Sequence, residues 1–153
     1  MIVNEATGMA VDCGCGDTGN SVVMRRVHDG EGQIFYRDGS FICAAPSGKV
    51  LDLARDTRNI GVWDAHGGTN QRWVDHADGS IRSAEGSDLC FDVHRGSNDE
   101  GARVIAYRCH GGANQRFRLN EVRDVSMEYI RRRDGWLPKI AGYCCDRGVY
   151  YRR

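Results

Sequence analysis

The chain has 153 residues, a length that suits one domain with a short appendage. Its hydrophobic content of 41% can support a core, which excludes wholesale disorder. The 21 basic and 21 acidic side chains cancel, so no chain-wide charge attracts nucleic acid or an anionic membrane, and we expect neither as a partner.

Membrane and export signals are not visible in the sequence. No apolar run approaches the roughly 20 residues that a membrane-spanning helix needs, and residues 1–14 lack the basic-then-apolar order of a signal peptide. The seven cysteines nevertheless exceed what a cytosolic protein of this size usually carries. We therefore expect a secreted or extracellular protein, exported by another route or present here in a mature form.

Three similar units follow one another along the chain. Twenty glycines and two prolines favour short strands joined by tight turns. Each unit begins with an aspartate inside an apolar strand, and these aspartates are 40 residues apart in both intervals. A second apolar strand follows, and a Gln-x-aromatic string ends the unit. In chain order the units hold Asp12, Arg25, Gln33 and Phe35; then Asp52, Trp63, Gln71 and Trp73; then Asp92, Tyr107, Gln115 and Phe117.

Each unit also needs a returning strand to complete its sheet. Asp38-Gly39 and Asp78-Gly79 precede SFICA and SIRSA, a pattern that predicts β-hairpins. No such strand follows RFRLNE, but MIVNEATG at the N-terminus resembles SIRSAEG. We therefore expect the N-terminal strand to complete the third unit and to close an all-β barrel without open edges.

The repeated strings identify a family. Gln71-Arg72-Trp73, Gln115-Arg116-Phe117 and a weaker Gln33-Ile34-Phe35, in register with three aspartates, resemble the Gln-x-Trp motif of the ricin B-type (R-type) lectins over about four fifths of the chain. The resemblance implies an all-β fold, a β-trefoil of three ~40-residue repeats with a short C-terminal extension. The trefoil would span residues 1–121, with repeats at about 1–46, 47–85 and 86–121. The implied function is recognition of galactose-type or related glycans, without catalysis, cofactor or metal.

The same resemblance assigns roles to residues in the second and third units. A carboxylate accepts hydrogen bonds from adjacent sugar hydroxyls, an aromatic ring packs on the apolar face of a pyranose, and amides both donate and accept. His94 could add a contact at the rim of the third site. The expected glycan-binding residues are Asp52, Trp63, Asn70 and Gln71, and Asp92, Tyr107, Asn114, Gln115 and His94.

Other repeated residues have plainer expected roles. The first unit keeps Asp12 and Gln33 but has Arg25 for the aromatic and Gly32 for Asn, which predicts a degenerate site. Gln71 and Gln115 could mainly brace their aspartates. Three aromatics are expected in the core, and the equivalent histidines and two arginines on solvated loops. These residues are Phe35, Trp73 and Phe117; His28, His66 and His110; and Arg72 and Arg116.

The cysteines are only partly assigned. The family's disulfide pattern implies a Cys90–Cys109 bond in the third unit alone. The pairing of Cys13, Cys15, Cys43, Cys144 and Cys145 stays open. A zinc site from Cys13-x-Cys15 with Cys144-Cys145 does not match the usual spacing of a structural zinc knuckle.

Residues 122–153 do not belong to the repeat. They carry eight basic and four acidic side chains and several aromatics, which suits a strap on the trefoil or an interface for a protein partner. Two alternatives to a free lectin therefore remain: a targeting or docking module of a larger toxin or glycan-active enzyme, and a sugar-independent protein-binding trefoil. The preferred sugar and the oligomeric state are left open by the sequence.

Overall fold

The computed structural model describes residues 1–28 and 30–120. Within them the chain forms twelve short strands in three four-stranded antiparallel sheets, ordered β12-β1-β2-β3, β4-β5-β6-β7 and β8-β9-β10-β11. The strands are β1 (Ile2–Asn4), β2 (Ala10–Asp12), β3 (Val23–Arg25), β4 (Phe35–Asp38), β5 (Phe41–Ala44), β6 (Val50–Leu53), β7 (Ile60–Trp63), β8 (Trp73–Asp75), β9 (Ile81–Ser83), β10 (Leu89–Val93), β11 (Val104–Arg108) and β12 (Phe117–Leu119).

Backbone hydrogen bonds between β3, β7 and β11 join the three sheets. The amide of Val22 donates to the carbonyl of Ile60 at 2.9 Å, and the amide of Val104 donates to that of Val22 at 3.0 Å. The amide of Ala106 donates to the carbonyl of Arg58 at 2.8 Å. Each bond links two different units, so the three sheets close into the threefold barrel of a β-trefoil.

The N-terminal strand completes the third unit, as the sequence predicts. β1 pairs with β12 in the register Ile2 to Leu119 and Asn4 to Phe117. The Asn4 side-chain amide also donates to the carbonyls of Ala113 and Arg116, at 3.0 and 3.1 Å. The first strand of the chain is therefore fixed to the last described one, and the sheet has no open edge there.

Both predicted hairpins are present, with different loops. In the first, Asp38 still pairs with Phe41, so the two-residue loop is Gly39-Ser40, one residue later than the Asp-Gly pair suggests. Gly39 there has φ 59°, a conformation that suits glycine. In the second, Asp75 pairs with Ile81 across a loop of residues 76–80 that contains Asp78-Gly79.

The aromatic residues that end each unit lie in the core, which confirms their predicted role. Phe35, Trp73 and Phe117 are 5%, 1% and 4% exposed. Trp73 packs edge to face on Phe91 with ring centroids 4.7 Å apart, and its indole N–H donates to the carbonyl of Leu51 at 3.0 Å. Buried tryptophan needs such a partner, so this residue serves the barrel and is not available to a ligand.

No helix among the described residues is long and apolar enough to span a membrane. The predicted extension, 122–153, lies outside the described residues, and with it Cys144 and Cys145.

Candidate functional site

The aspartate and the mid-unit aromatic are cross-strand neighbours in the second and third units. Asp52 pairs with Gly61 and Val50 pairs with Trp63, so Asp52 and Trp63 are diagonal neighbours on one face of the β6–β7 ladder. Asp92 and Tyr107 have the same relation on β10 and β11. A diagonal pair lies about 7–8 Å apart, which leaves room for one sugar ring against both.

The two aromatics are exposed while the two aspartates are nearly covered. Trp63 and Tyr107 are 46% and 55% exposed, whereas Asp52 and Asp92 are 7% and 3% exposed. A large exposed ring beside a covered carboxylate gives each unit an apolar platform with one charged acceptor at its inner end.

One oxygen of the Asp52 carboxylate accepts the hydrogen bonds that the described residues donate to it. Oδ2 accepts from Gln71 Nε2 at 2.8 Å and from Asn70 Nδ2 at 3.0 Å. Among the described residues, the hydrogen bonds found to Asp52 and Asp92 reach Oδ2. Asn114 is a further side-chain donor beside Asp92 and favours its charged form. Each carboxylate is therefore fixed through one oxygen and keeps the other available as an acceptor.

Gln71 and Gln115 hold Asp52 and Asp92 in place from the buried side of the site. Gln71 is fully buried, donates to Asp52 and to the carbonyl of Asp64, and accepts from the amides of His66 and Gly67. Gln115 makes the same four bonds to Asp92, Arg108, His110 and Gly111. Both glutamine amides are covered and fully engaged, which favours the bracing role over direct contact with a glycan.

The three equivalent histidines are not simply solvated loop residues, which corrects the expectation for His28, His66 and His110. Their Nε2 atoms lie 2.8, 3.3 and 3.5 Å from Oδ2 of the aspartate in the same unit. Each Nδ1 accepts the backbone N–H two residues later, from Gly30, Gly68 and Gly112. The Nε2 of each neutral ring therefore carries the proton and donates to the carboxylate.

The asparagines that precede the glutamines join the same network. Asn70 is 5% exposed, and its Nδ2 donates to Asp52 and to the carbonyl of Leu53 at 3.2 Å. Asn114 is half-buried, and its Nδ2 donates to the carbonyl of Val93 at 3.3 Å. Both lie beside the aspartate, where the amide oxygen can face a ligand.

In the third unit these residues line a cavity of ≈ 470 Å³. Burial raises the pKa of Asp92 above its ordinary value of 3.8, while Gln115 and His110 favour the carboxylate. The cavity includes His94, which the sequence suggests as a rim contact, and also Arg95, which the sequence did not single out. Its lining is Asp92, His94, Arg95, Gly96, Ile105, Tyr107, His110 and Asn114.

The Cys90–Cys109 disulfide implied by the family resemblance is present. Cys90 lies in β10 opposite Tyr107 in β11, and Cys109 follows that strand. The bond therefore joins the two strands that carry Asp92 and Tyr107. Position 50 is a valine and position 65 an alanine, so the second unit has no counterpart.

In the first unit, protein groups occupy both carboxylate oxygens of Asp12. The backbone N–H of Gly14 donates to Asp12 Oδ1 at 2.7 Å, while Gln33 and His28 reach Oδ2. A side chain at Gly32 would meet Asp12 Oδ1 and the Gly14 carbonyl at 2.6 Å. Arg25 is exposed where the other units have an aromatic. The first site lacks a free acceptor oxygen, the asparagine and the aromatic platform.

The two arginines after the glutamines differ from each other. Arg116 is exposed, as expected. Arg72 is half-buried, donates to Ser40 Oγ at 2.9 Å and lies over the Phe41 ring at 4.9 Å. The expectation of a solvated Arg72 is wrong, because the tight first hairpin brings Phe41 and Ser40 under its guanidinium.

No group of three or more potential metal-ligating side chains occurs in residues 1–28 and 30–120. Cys13 is buried, which raises the pKa of its thiol to about 12 and makes it a poor thiolate ligand. Cys15 is exposed and donates to Asp17 Oδ2 at 2.8 Å.

Comparison with known proteins agrees with this architecture. Residues 42–130 match the Ricin-type beta-trefoil lectin domain family. A designed threefold-symmetric protein, ThreeFoil, is 32% identical with a TM-score of 0.69, over 79% of this chain and 96% of that one. The C-half of the earthworm R-type lectin, solved in complex with GalNAc, is 20% identical with a TM-score of 0.65, over 76% and 92% of the chains.

A third similar structure belongs to a larger protein. The exo-beta-1,3-galactanase 1,3Gal43A from Clostridium thermocellum is 26% identical with a TM-score of 0.68, over 79% of this chain and 29% of that one. No curated protein matches the chain significantly by sequence. The family match covers more than half of the chain and agrees with its threefold β-barrel. The chain belongs to the ricin-type β-trefoil lectin domain family.

Proposed function

We propose that the chain binds glycans through two shallow sites, one in the second unit and one in the third. The second-unit site consists of Asp52, Trp63 and Asn70, with Gln71 bracing the aspartate. The third-unit site consists of Asp92, Tyr107, Asn114 and His94, with Gln115 in the bracing role. The observation that supports both is a carboxylate fixed through Oδ2 beside an exposed aromatic ring.

The chemistry of each site suits a sugar ring. The free Oδ1 can accept hydrogen bonds from hydroxyls, and bonds to a charged acceptor are about twice as strong as neutral ones. The exposed Trp63 or Tyr107 ring can pack on the apolar C–H face of a pyranose. We propose galactose-type glycans because the family resemblance implies them, and the similar earthworm lectin was solved with GalNAc.

We propose further that these sites bind without catalysis. Glycoside hydrolysis ordinarily uses two carboxyl groups on either side of the scissile bond. The residues that line the third-unit cavity include one carboxyl group, that of Asp92. That carboxylate is tied to Gln115 and His110, which suits a fixed acceptor better than a proton donor.

A second candidate function is that of a targeting module in a larger toxin or glycan-active enzyme. This role is suggested by the similar exo-beta-1,3-galactanase, a larger enzyme of which this chain matches 29% of the length. A catalytic partner that co-purifies with the full chain, and is lost on truncation after residue 121, would favour this role. Correct folding with no binding to any glycan on an array would favour a sugar-independent protein-binding trefoil. We propose a secreted location, which the disulfide supports.

Calorimetric titration with lactose and with free GalNAc tests the glycan sites. Trp63→Ala and Tyr107→Ala should each weaken binding by about 10-fold, in the range expected for loss of an aromatic contact. The matched control is Arg25→Ala, at the equivalent place in the first unit, and should leave binding unchanged. Equal binding by wild type and the Trp63→Ala/Tyr107→Ala double variant would overturn the proposal.

A further inference from the structure

The two proposed glycan sites differ in one neighbouring charge. Backbone hydrogen bonds from Ala84 to Arg72 and from Glu5 to Arg116 occupy the same place in the second and third units. The residues that follow, Glu85 and Ala6, are therefore structural equivalents. The alignment of MIVNEATG with SIRSAEG gives the same pair, and the third unit takes its returning strand from the N-terminus.

In the second unit Glu85 neutralises an arginine beside the site. Arg55, three residues after Asp52, donates to Glu85 through Nε at 2.7 Å and Nη2 at 3.1 Å. The hydroxyl of Thr69 also donates to Glu85. These bonds lower the pKa of Glu85 to about 2, so the pair stays ionised over the working pH range. Arg55 Nη2 also approaches Asn70 Oδ1 at 3.5 Å, which places the pair at the edge of the site.

In the third unit no carboxylate of the described residues forms an ion pair with the corresponding arginine. Arg95 follows Asp92 by three residues, and Ala6 and Ala113 stand where the second unit has Glu85 and Thr69. Arg95 is exposed and forms no ion pair or hydrogen bond with any described residue. Its backbone lies in the left-handed region, with φ 59°, and it lines the cavity together with Asp92 and Tyr107.

We propose that the third-unit site prefers glycans with an anionic group, a carboxylate or a sulfate, next to the sugar that Asp92 holds, and that Arg95 binds this group. The inference rests on the proposed function and adds a ligand class to one of its sites. A guanidinium offers paired N–H donors that match a carboxylate or sulfate. Arg55 is less suited to this role in the second unit, because Glu85 neutralises its charge and accepts from its Nε and Nη2.

The charges around the cavity allow this preference. Asp92 is the acidic group in the lining, and its Oδ2 is already bound by Gln115 and lies 3.5 Å from His110. His94, half-buried, flanks Arg95 on the same 3₁₀ turn, His94–Gly96. An anionic substituent beyond the ring would thus meet Arg95 first, with Asp92 engaged by the sugar hydroxyls.

Ligands that differ only in an acidic group test the proposal. The titrations use the Asp52→Asn variant, in which the third-unit site alone should bind. The ligands are lactose, sialylated lactose and sulfated lactose. Both acidic ligands should bind about 3- to 10-fold more tightly than lactose at low salt, and the difference should shrink at about 0.5 M NaCl, because salt screens exposed charges. A preference for only one acidic ligand would identify carboxylate or sulfate as the group bound.

Variants of Arg95 and of the residues that correspond to Glu85 and Thr69 supply the controls. Arg95→Asn, neutral and compatible with a positive φ, should remove the preference for acidic ligands while lactose affinity is kept. Arg95→Lys should retain part of it. Ala6→Glu/Ala113→Thr should give Arg95 the partners that Glu85 and Thr69 provide in the second unit, and should reduce the preference for acidic ligands. Glu85→Gln in the Asp92→Asn background should create a preference in the second unit.

The failures of the two proposals are distinguishable. Equal affinity for lactose and both acidic ligands, or a preference that survives in a folded Arg95→Asn variant, would overturn the role of Arg95. The glycan-binding proposal would then stand on lactose alone. Absence of lactose binding by wild type would overturn the proposed function, and with it this inference.

Discussion

At the level of single residues, the two carboxylate oxygens of the aspartates have different surroundings. Asp52 and Asp92 are held through Oδ2 and present Oδ1, whereas Asp12 has protein donors on both oxygens. The same residue type at three equivalent positions thus has two roles. The difference comes from one backbone N–H, that of Gly14, which takes the place that a sugar hydroxyl would otherwise occupy.

The buried glutamines give the first prediction. Gln115→Leu removes four hydrogen bonds and leaves the carbonyl of Arg108 and the amides of His110 and Gly111 unpaired. We expect the free energy of unfolding to fall by about 2–4 kcal/mol, since unsatisfied polar groups carry their full desolvation penalty. Chemical denaturation measures it. Arg118→Leu, at an exposed position three residues beyond the buried Gln115, is the control, and an equal effect of both variants would contradict the bracing role.

The raised pKa of Asp92 gives a prediction about pH. Burial holds this pKa above 3.8 in the folded chain, so the native state takes up a proton at a higher pH than the unfolded chain. As the pH falls toward the raised pKa of Asp92, proton uptake by this group therefore increases the free energy of unfolding. Glycan binding by the third unit should weaken in the same window, because a protonated carboxyl is a poorer acceptor.

Titration of the Asp52→Asn variant with lactose over a pH series measures this effect. Affinity should begin to fall while the pH is still above the ordinary range of an aspartate. Constant affinity down to pH 3.8, the ordinary value for Asp, would show that the carboxylate charge of Asp92 is not needed. The circular dichroism spectrum at each pH separates loss of binding from loss of fold.

At the level of elements, the strand pair β10–β11 differs from its counterpart β6–β7 by a covalent link. Cys90 and Cys109 close a loop with a sequence separation of 19. The chain-entropy treatment gives roughly 3 kcal/mol for a loop of this size. Cys90→Ala/Cys109→Ala should therefore lower the free energy of unfolding by about that amount, measured by denaturant titration. Unchanged stability would show that the unfolded chain is not constrained by this bond.

The loop that follows β2 gives a prediction about repair of the first unit. Gly32→Asn with Arg25→Trp restores the residue types of the other units. It should not create a glycan site, because any side chain at Gly32 meets Asp12 and Gly14 at 2.6 Å. We expect a loss of stability in thermal unfolding and no additional site in the titration stoichiometry with lactose. A third site with wild-type stability would contradict the structure of this loop.

The elements also show which features a sequence can predict. Apolar strands with a repeated aspartate and Gln-x-aromatic string predicted the barrel, the buried Phe35, Trp73 and Phe117, and the use of the N-terminal strand. These features follow from periodicity and from the need to close a sheet edge. The Cys90–Cys109 bond followed from the family resemblance, and the structure contains it.

The contacts that sequence reasoning missed depend on how loops fold back. His66 reaches Asp52 because its Nδ1 accepts the amide of Gly68, a local turn that the letters HGG do not specify. The repetition of HGG in HGGTNQRW and HGGANQRF was the feature of the sequence that could have indicated a shared role for these histidines. The Arg55–Glu85 pair joins residues 30 positions apart, and the closure of Asp12 by Gly14 depends on one loop conformation. Neither of the last two contacts repeats in the sequence.

For the whole molecule, the threefold barrel places the two proposed glycan sites on separate units. Each site is shallow, so single-site affinity should be weak, and linkage raises apparent affinity only when both sites reach one surface. On a surface dense in terminal lactose, wild type should therefore dissociate more slowly than either Asp52→Asn or Asp92→Asn. At sparse lactose density the three proteins should dissociate at similar rates. Surface plasmon resonance at two densities measures this, and identical rates at high density would contradict two-site binding.

The most direct measurement is calorimetric titration of lactose into wild type and into the Asp52→Asn/Asp92→Asn double variant. An asparagine can keep the Oδ2 network while replacing the free Oδ1 by an N–H donor, so the fold should persist, as thermal unfolding would show. The account predicts two sites for wild type and binding weakened by about 10- to 100-fold or lost in the double variant. Wild-type lactose binding by the folded double variant would contradict it.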